Sequence, residues 1–544
     1  MKTIHKANFS HFLFLIFFAS ITFSCYKKDF DKLKLANATP EYVCPLINAS
    51  LSMKDIIDPN KKKLNITEDI NGFYTFIYYQ DLYTQLITDL LQITDLSIAQ
   101  TTTLTAGEVT SLAIAGSVTH PFTKSVILAT THGEKLKTVL VKSGTLPLTI
   151  SSTFKHNVQV VVTFPYIKKN SVALTTTINL NYVSGNAPVV STTAIDLTGY
   201  TIDCSENNTK VNTLTFTGIL KVTFKSGNPI TTAQKIDLST GISNIAYSYV
   251  DGYIGQYTFT VPQDSVSINI FDNAYIGNIY FTDPKVRAII TNSVGASSTV
   301  KMVKLTAQSN ITGNTDITGS IINTNIAILY PSLAQIGQSE TTTIQLDKTN
   351  SNVQTIFNPA PNKIIYKMSG IINPAGVTAN FATDSSYVKI RGEVEIPMEG
   401  KVVKFVLLDT INNISYPDIN IGGKTGKVLS AGFNIALSNG FPMNTSIQMY
   451  FLDDANVILD SLFASPHLIV SAAVDVTGKV TTPTDILIHE MYNEARYNRI
   501  TLSKKAVLYA FFSTANNGTT PVKIYSSYKL KSNISIDVKA SVSF

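Results

Sequence analysis

The chain has 544 residues, 43 basic against 37 acidic, for a formal net charge of +6, and 44% of its residues are hydrophobic. That charge is too weak to suggest a nucleic-acid partner, and no basic cluster is threaded with aromatics. The apolar fraction excludes intrinsic disorder, while the charged fraction of 15% falls well below the roughly 25% of ordinary soluble domains. Thr, Val, Ile, Tyr and Phe recur throughout, and these side chains suit a pleated, half-buried surface.

The first element is FLFLIFFASITFSC, from Phe12 to Cys25. Its apolar run is too short for the roughly 20 residues of a membrane-spanning helix. Lys2 and Lys6 precede it, and no acid stands before Asp29. A basic start, a short apolar stretch and a small residue before the cut make a secretory signal peptide. Ser24 followed at once by Cys25 resembles the lipobox of bacterial lipoproteins, in which the cysteine sulfur takes a diacylglycerol and the freed amine is acylated. Ser24 and Cys25 are therefore the expected cleavage and lipidation positions, with palmitate-like chains on Cys25. The alternative is an ordinary signal peptide with an incidental cysteine. Two or three chains of this kind hold a protein on a membrane where one does so only marginally. Residues 25–44 read as a polar tether. Within it, Lys28-Asp29 with Asp31 looks like the signal that sends lipoproteins of the Bacteroidota to the outer face of the outer membrane. No later segment reads as a transmembrane helix.

About 520 residues remain after cleavage, too many for one core. Removing residues 1–24 takes away Lys2 and Lys6 and no acid, leaving a body near +4. The expected division is 1–24 signal peptide, 25–44 tether, and two β-rich regions, 45–284 and 285–544. Cys44 and Cys204 could pair in an oxidising compartment, or lie as two free, small hydrophobes. Their separation, without any pattern, favours free thiols.

Farther along, Glu68 to Tyr79 carries the turn Asn71-Gly72 before an alternating run. Asp81 to Gln92 has Leu82, Leu86 and Leu90 at helical spacing behind an N-cap aspartate, which predicts a helix. Phe281-Thr282-Asp283-Pro284 is the best boundary signal. Tyr387 to Pro397, YVKIRGEVEIP, alternates apolar and charged residues, which predicts a strand with one face on a core and one in water. Ser446 to Phe463 reads as a hairpin about Asp453-Asp454-Ala455-Asn456. His489 to Lys505 is a second helix candidate, ahead of the apolar run Val507 to Phe512. The chain closes on Ile534, Ile536, Val538, Ala540, Val542 and Phe544 on one face of a strand. Such an ending also occurs in outer-membrane barrels, but a lipid anchor and a spanning barrel are mostly alternative solutions. The fold class is mainly β: two or more antiparallel β-sandwich-like domains with a few short helices.

Several phrases in order resemble a largely uncharacterised family of large, secreted, β-rich lipoproteins of the Bacteroidota. They are Pro45-Leu46-Ile47-Asn48 with Ser52-Met53-Lys54-Asp55-Ile56-Ile57, Gly252-Tyr253-Ile254-Gly255-Gln256, Phe281-Thr282-Asp283-Pro284 with Thr291-Asn292-Ser293-Val294-Gly295, and Asn439-Gly440-Phe441-Pro442. The resemblance implies a location and a β fold, and carries no reaction. It also places a small apolar residue at Cys44, which favours a buried thiol there. The stretch from Asp283 through Gly295 is similar to the sandwich of water-stress and late-embryogenesis proteins, and more distantly to tubular lipid-binding proteins. Fold of this kind does not settle function.

Searches for chemistry end in turns and loops. There is no G-x-S-x-G, no P-loop, and no second ligand four residues beyond His489-Glu490. His120, His132, His156, His467 and His489 lack metal-type spacing, and His120 and His132 read as loop residues. Asp453, Asp454 and Asp460 could serve a glycosidase or bind calcium, but a hairpin turn explains them better. Glu68-Asp69-Ile70-Asn71-Gly72 reads likewise as a turn. Glycan binding would use flat aromatic rings; the chain has no Trp and 25 Tyr. No catalytic residue, metal or cofactor is expected. The expected function is a lipid-anchored envelope protein with a structural or binding role. Its partners would be the membrane through its lipid, and an envelope protein, lipid or glycan. The alternatives are a carrier of lipid or another apolar ligand, or a surface glycan-binding module.

Overall fold

The computed structural model describes residues 39–52, 64–185, 188–268, 274–377, 379–412, 414, 416, 420–421 and 424–542. Ser24 and Cys25 lie outside these residues, as do Phe544 and most of the Ser52–Ile57 phrase. The described chain is mainly β, in antiparallel sheets with a few short helices, the longest being Ala106–Ala115. No helix among the described residues is long and apolar enough to cross a membrane.

The chain forms two compact units, one of residues 60–272 and 278–401, the other of 1–59, 273–277 and 402–544. Both are discontinuous, because each sheet gathers strands from far apart in sequence. Position 284, the expected boundary, falls inside the first of these units. A boundary read in chain order presumes contiguous domains.

The unit of residues 60–272 and 278–401 holds a ten-stranded sheet. Its main path runs Asn380–Thr383, Lys235–Tyr253, Lys135–Ser152, Thr201–Asp203, Asn157–Lys169, Thr213–Thr223, Ser117–Ile127. It also holds two five-stranded sheets. One is ordered about Tyr257–Ser267, Lys363–Ile372 and Ser298–Ser309, the other about Lys285–Asn292, Tyr387–Pro397 and Tyr74–Leu86. These two face each other as a sandwich. Tyr366, fully buried, donates from one sheet to the carbonyls of Arg287 and Glu393 in the other, at 3.4 and 3.3 Å. Burial pushes its phenol well up.

Tyr387–Pro397 is the strand the alternation demands. Val388, Ile390, Val394 and Ile396 are buried. The charged face is not bare to water: Arg391 pairs with Asp81 at 2.9 Å, and Glu395 with Lys285 at 2.7 Å and with Arg287. The helix expected over Asp81–Gln92 is instead the end of strand Tyr74–Leu86, followed by a single 3-10 turn at Ile87–Asp89. The strand carries a bulge: Ile390 pairs with Tyr83 but Arg391 with Asp81, leaving Leu82 extra. A bulge shifts the two-residue alternation by one: Tyr74, Phe76, Tyr78 and Leu82 are buried in step, and past the bulge Leu86 is exposed, while Leu82, Leu86 and Leu90, four apart, fit a helix and a period of two alike.

The other unit is built on two sheets. One is ordered Glu41–Ser52, Lys529–Ser541, Lys427–Asn439, Thr484–Asn493. The other contains, in order, Glu399–Asn412, Lys505–Ser513, Asn444–Leu452 and Ile458–Ser461. The hairpin expected at Ser446–Phe463 is present. Asp453 accepts from Val457 N at 2.8 Å, and Asn456 takes the left-handed conformation, φ 63°. Of the helix expected over His489–Lys505, only Glu494–Ile500 is helical, capped by Asn493. His489 lies in the strand before it, where Ile486, Ile488 and Tyr492 turn inward on a period of two. The closing strand buries Ile534, Ile536, Val538, Ala540 and Val542 as expected.

Candidate functional site

Three buried asparagines act as pivots of the backbone, and two of them, Asn292 and Asn439, stand in the phrases quoted above. Asn292, Asn373 and Asn439 are each 0% exposed. The Asn292 carboxamide donates to Leu329 O at 3.1 Å and accepts from Val294 N at 2.9 Å. That of Asn439 donates to Met443 O and Val470 O at 2.8 and 3.0 Å, and accepts from Phe441 N at 3.0 Å. Asn373 donates to Gly255 O and Val377 O, at 3.2 and 3.0 Å, and to Asn380 Oδ1 at 3.0 Å, and accepts from Val377 N at 2.9 Å. Each side chain thus satisfies main-chain groups that leave a sheet where water does not reach. Gly295 completes one pivot by pairing with Phe381, whose ring lies 2.1 Å from where a Cβ would stand. Gly252 completes another, with φ 119° and the Lys135 carbonyl 2.4 Å from a would-be Cβ.

A cavity of about 360 Å³ opens in the unit of residues 402–544. Its floor is Phe433, Met449, Phe451, Leu462 and Ile534, all buried and drawn from both sheets of that unit. Around it stand Pro45, Leu46, Ile411, Asn412, Ile414 and Tyr416. Among the described residues no charged side chain lines it. Leu46 owes its place to a bulge, since Pro45 pairs with Ser535 and Ile47 with Ile534, leaving it unmatched. The Tyr416 hydroxyl lies 2.7 Å from Ser503 Oγ, and Ser503 in turn donates to Ile500 O at 2.6 Å. Burial pushes the Tyr416 phenol up to about 12, so it stays neutral. The site combines apolar walls with neutral polar groups, the composition of a site for uncharged apolar matter.

The carboxylates weighed for catalysis do not converge. Asp453 closes its turn. Asp460 is clamped by Arg496 at 3.2 Å and Arg499 at 2.8 Å. Burial raises its acid, but the backbone bond from Ser461 and the two guanidiniums outweigh that and hold it below the usual carboxylate range. Arg496 also stacks on Tyr492, 3.7 Å from its ring centre. Asp69 closes the Asn71-Gly72 turn, accepting from Asn71 N and Phe73 N at 2.8 and 2.9 Å.

The histidines are scattered. His120 lies in strand Ser117–Ile127, not the expected loop, where it meets Glu108 at 3.0 Å. Its neighbour Pro121 is accommodated in that strand. His132 lies in a loop beside Glu134, 3.4 Å away. His156 is buried, and burial lowers its pKa. His467 packs on Phe463, and His489 meets Asn434 at 2.8 Å. Among the described residues no three His, Cys, Asp or Glu side chains could hold one metal ion. Cys44 and Cys204 are free; Cys44 is half-buried rather than buried, and Cys204 is buried. Of the described aromatics, Tyr330 alone is exposed beyond a third, at 48%.

A buried polar cluster has no forerunner in the sequence reading. Glu134, 2% exposed, accepts from the Tyr257 hydroxyl at 2.6 Å and from His132 N at 2.9 Å. The Asn212 amide donates to the Glu134 carbonyl at 2.6 Å and accepts from Leu136 N at 2.7 Å. Burial raises the Glu134 acid, but these donors outweigh it and leave the acid lowered. Every group in the cluster answers another, which marks it as a brace for the 129–136 and 203–213 loops.

No family model matches the chain, and no curated protein matches it. Among solved structures, a protein assigned as secreted from Parabacteroides distasonis aligns over 52% of this chain and 82% of its own, at 14% identity and a TM-score of 0.29. The VP2 subviral particle of infectious bursal disease virus aligns over 83% of this chain and 82% of its own, at 9% identity and a TM-score of 0.13. A structure of the Gx strain of that virus aligns over 84% of this chain and 82% of its own, at 10% identity and a TM-score of 0.13. Scores this low carry no argument about function.

Proposed function

We propose that this protein is a lipid-anchored component of a bacterial cell envelope that acts by binding or by structure, without catalysis. The observation that carries it is the apolar run ending at Ser24-Cys25 behind Lys2 and Lys6. Acyl groups on Cys25 would hold two β-built units at the outer membrane, and Lys28, Asp29 and Asp31 would direct them to its outer face. The test is Cys25→Ala in the full chain. Labelled palmitate should be incorporated by the parent and not by the variant, and the variant should leave the membrane fraction. Equal labelling and equal sedimentation of both would overturn the anchor. Turnover of a substrate by the purified body would overturn the non-catalytic role.

The cavity supports a second reading, a carrier of lipid or another apolar ligand, because its walls are apolar and its size falls in the range of roughly 300–1,000 Å³ typical of ligand sites.

A further inference from the structure

We infer that the cavity between the two sheets of the 402–544 unit takes one unbranched hydrocarbon chain of about a dozen carbon atoms, the tail of a single-chain lipid. This deepens the carrier reading and rests on it. Size comes first. A water-sized group claims about 30 Å³, so a cavity of about 360 Å³ takes about a dozen such groups in file. Two ordinary phospholipid tails would not fit.

Charge comes second. With no charged side chain among the described lining residues, an ionised head drawn inside would lose its hydration without a partner. The head therefore stays outside and only the tail enters. The polar groups available are neutral, Asn412 and Tyr416, and Tyr416 is braced through Ser503 to the Ile500 carbonyl. Shape comes third. The floor residues come from three strands of the two sheets, Phe433 from one, Ile534 from another and Met449 with Phe451 from a third, with Leu462 just past the end of strand Ile458–Ser461. Their arrangement is therefore held by the sheets, so the cavity needs no ligand to hold it open. Leu46 stands beside it because of the strand bulge, a position where a side chain changes without disturbing the floor.

The experiment uses the full chain carrying Cys25→Ala, so that none of its own acyl groups competes. Saturated fatty acids and monoacylglycerols of 8 to 16 carbons are titrated against a fluorescent chain probe, with native mass spectrometry for stoichiometry. We expect one chain per protein and affinity rising about fourfold per methylene, levelling off near 12 carbons. Leu46→Trp should weaken dodecanoyl binding at least tenfold with an unchanged melting temperature. Ile534→Phe, acting from the floor, should move the plateau to shorter chains. The acids and the glycerol esters share the tail, and similar affinities for both support recognition of the tail alone. Absence of binding by any chain, affinity indifferent to chain length, or binding unmoved by both substitutions would overturn the proposal. Membrane retention of the unaltered protein is read separately, so the anchor and the pocket can fail independently.

Discussion

Asn373→Ala is the sharpest test of how the sandwich is held. The native side chain is 0% exposed and sits on a left-handed residue, φ 56°. Truncation removes the partner of Val377 N, along with the donors to Gly255 O, Val377 O and Asn380 Oδ1. An orphaned buried donor costs about 1–3 kcal/mol, and the lost acceptor contacts bring the total to about 2–4 kcal/mol. Alanine also pays about 1–2 kcal/mol for its left-handed backbone. Asn373→Gly separates the two effects. It loses the same bonds, is free of that strain, and gives back about 0.5–1 kcal/mol of chain entropy. Alanine should therefore fall below glycine by up to about 1.5 kcal/mol, and both well below the parent. The assay is hydrogen exchange of the Lys363–Ile372 amides, read against strand Lys529–Ser541 of the other unit as internal control. A parent-like Ala variant, or a Gly variant less stable than Ala, would refute the reasoning.

Three further outcomes follow from other sites. Glu393 and Glu395 share one face of a strand but shift oppositely. Burial raises Glu393, whereas for Glu395 the Lys285 and Arg287 contacts outweigh burial and lower it from 4.5. Glu395 therefore adds stability above about pH 4.5 that is lost as pH falls through its lower folded value. Glu393 stabilises below about pH 4.5 and costs stability as pH rises through its higher one. Glu395→Gln should lower stability at pH 7 by about 1 kcal/mol and Glu393→Gln should raise it slightly, by urea denaturation. Asp460→Ala leaves Arg496 without its main carboxylate and should cost about 2 kcal/mol, read as faster exchange in helix Glu494–Ile500. Burial pushes the Cys204 thiol up to about 12, so it should alkylate only on unfolding, while half-buried Cys44 should alkylate in the native protein; mass spectrometry after a timed maleimide pulse decides.

What could be read from the sequence follows the range of the physics behind it. Period-two alternation is local, so Tyr387–Pro397, the Ser446–Phe463 hairpin and the closing strand were legible. The same rule was obscured at Asp81–Gln92, where Leu82, Leu86 and Leu90, four apart, fit a helix as well as a strand, and where a one-residue bulge leaves Leu86 facing outward. Neither Leu82 nor its neighbours carry a mark of that bulge, because it is set by the partner strand Tyr387–Pro397. Asn292 and Asn439 stood out as parts of the phrases that carry the resemblance, but nothing local said that their carboxamides are buried and bonded to main-chain groups up to 37 residues away, as Asn292 is to Leu329.

The cavity was the least legible feature, for the same reason carried further. Its lining comes from Pro45 at one end of the chain to Ile534 at the other, and each of its five buried residues alone is an ordinary core side chain. Only two packed sheets give such residues a common void. The site's most telling property is also a collective one: the absence of any charge among its described lining residues. Under the carrier reading proposed above, this cavity takes greasy matter, whereas the polar groups of the pivots and of the Glu134 brace are bonded to one another. That contrast makes chain-length dependence the measurement to perform first.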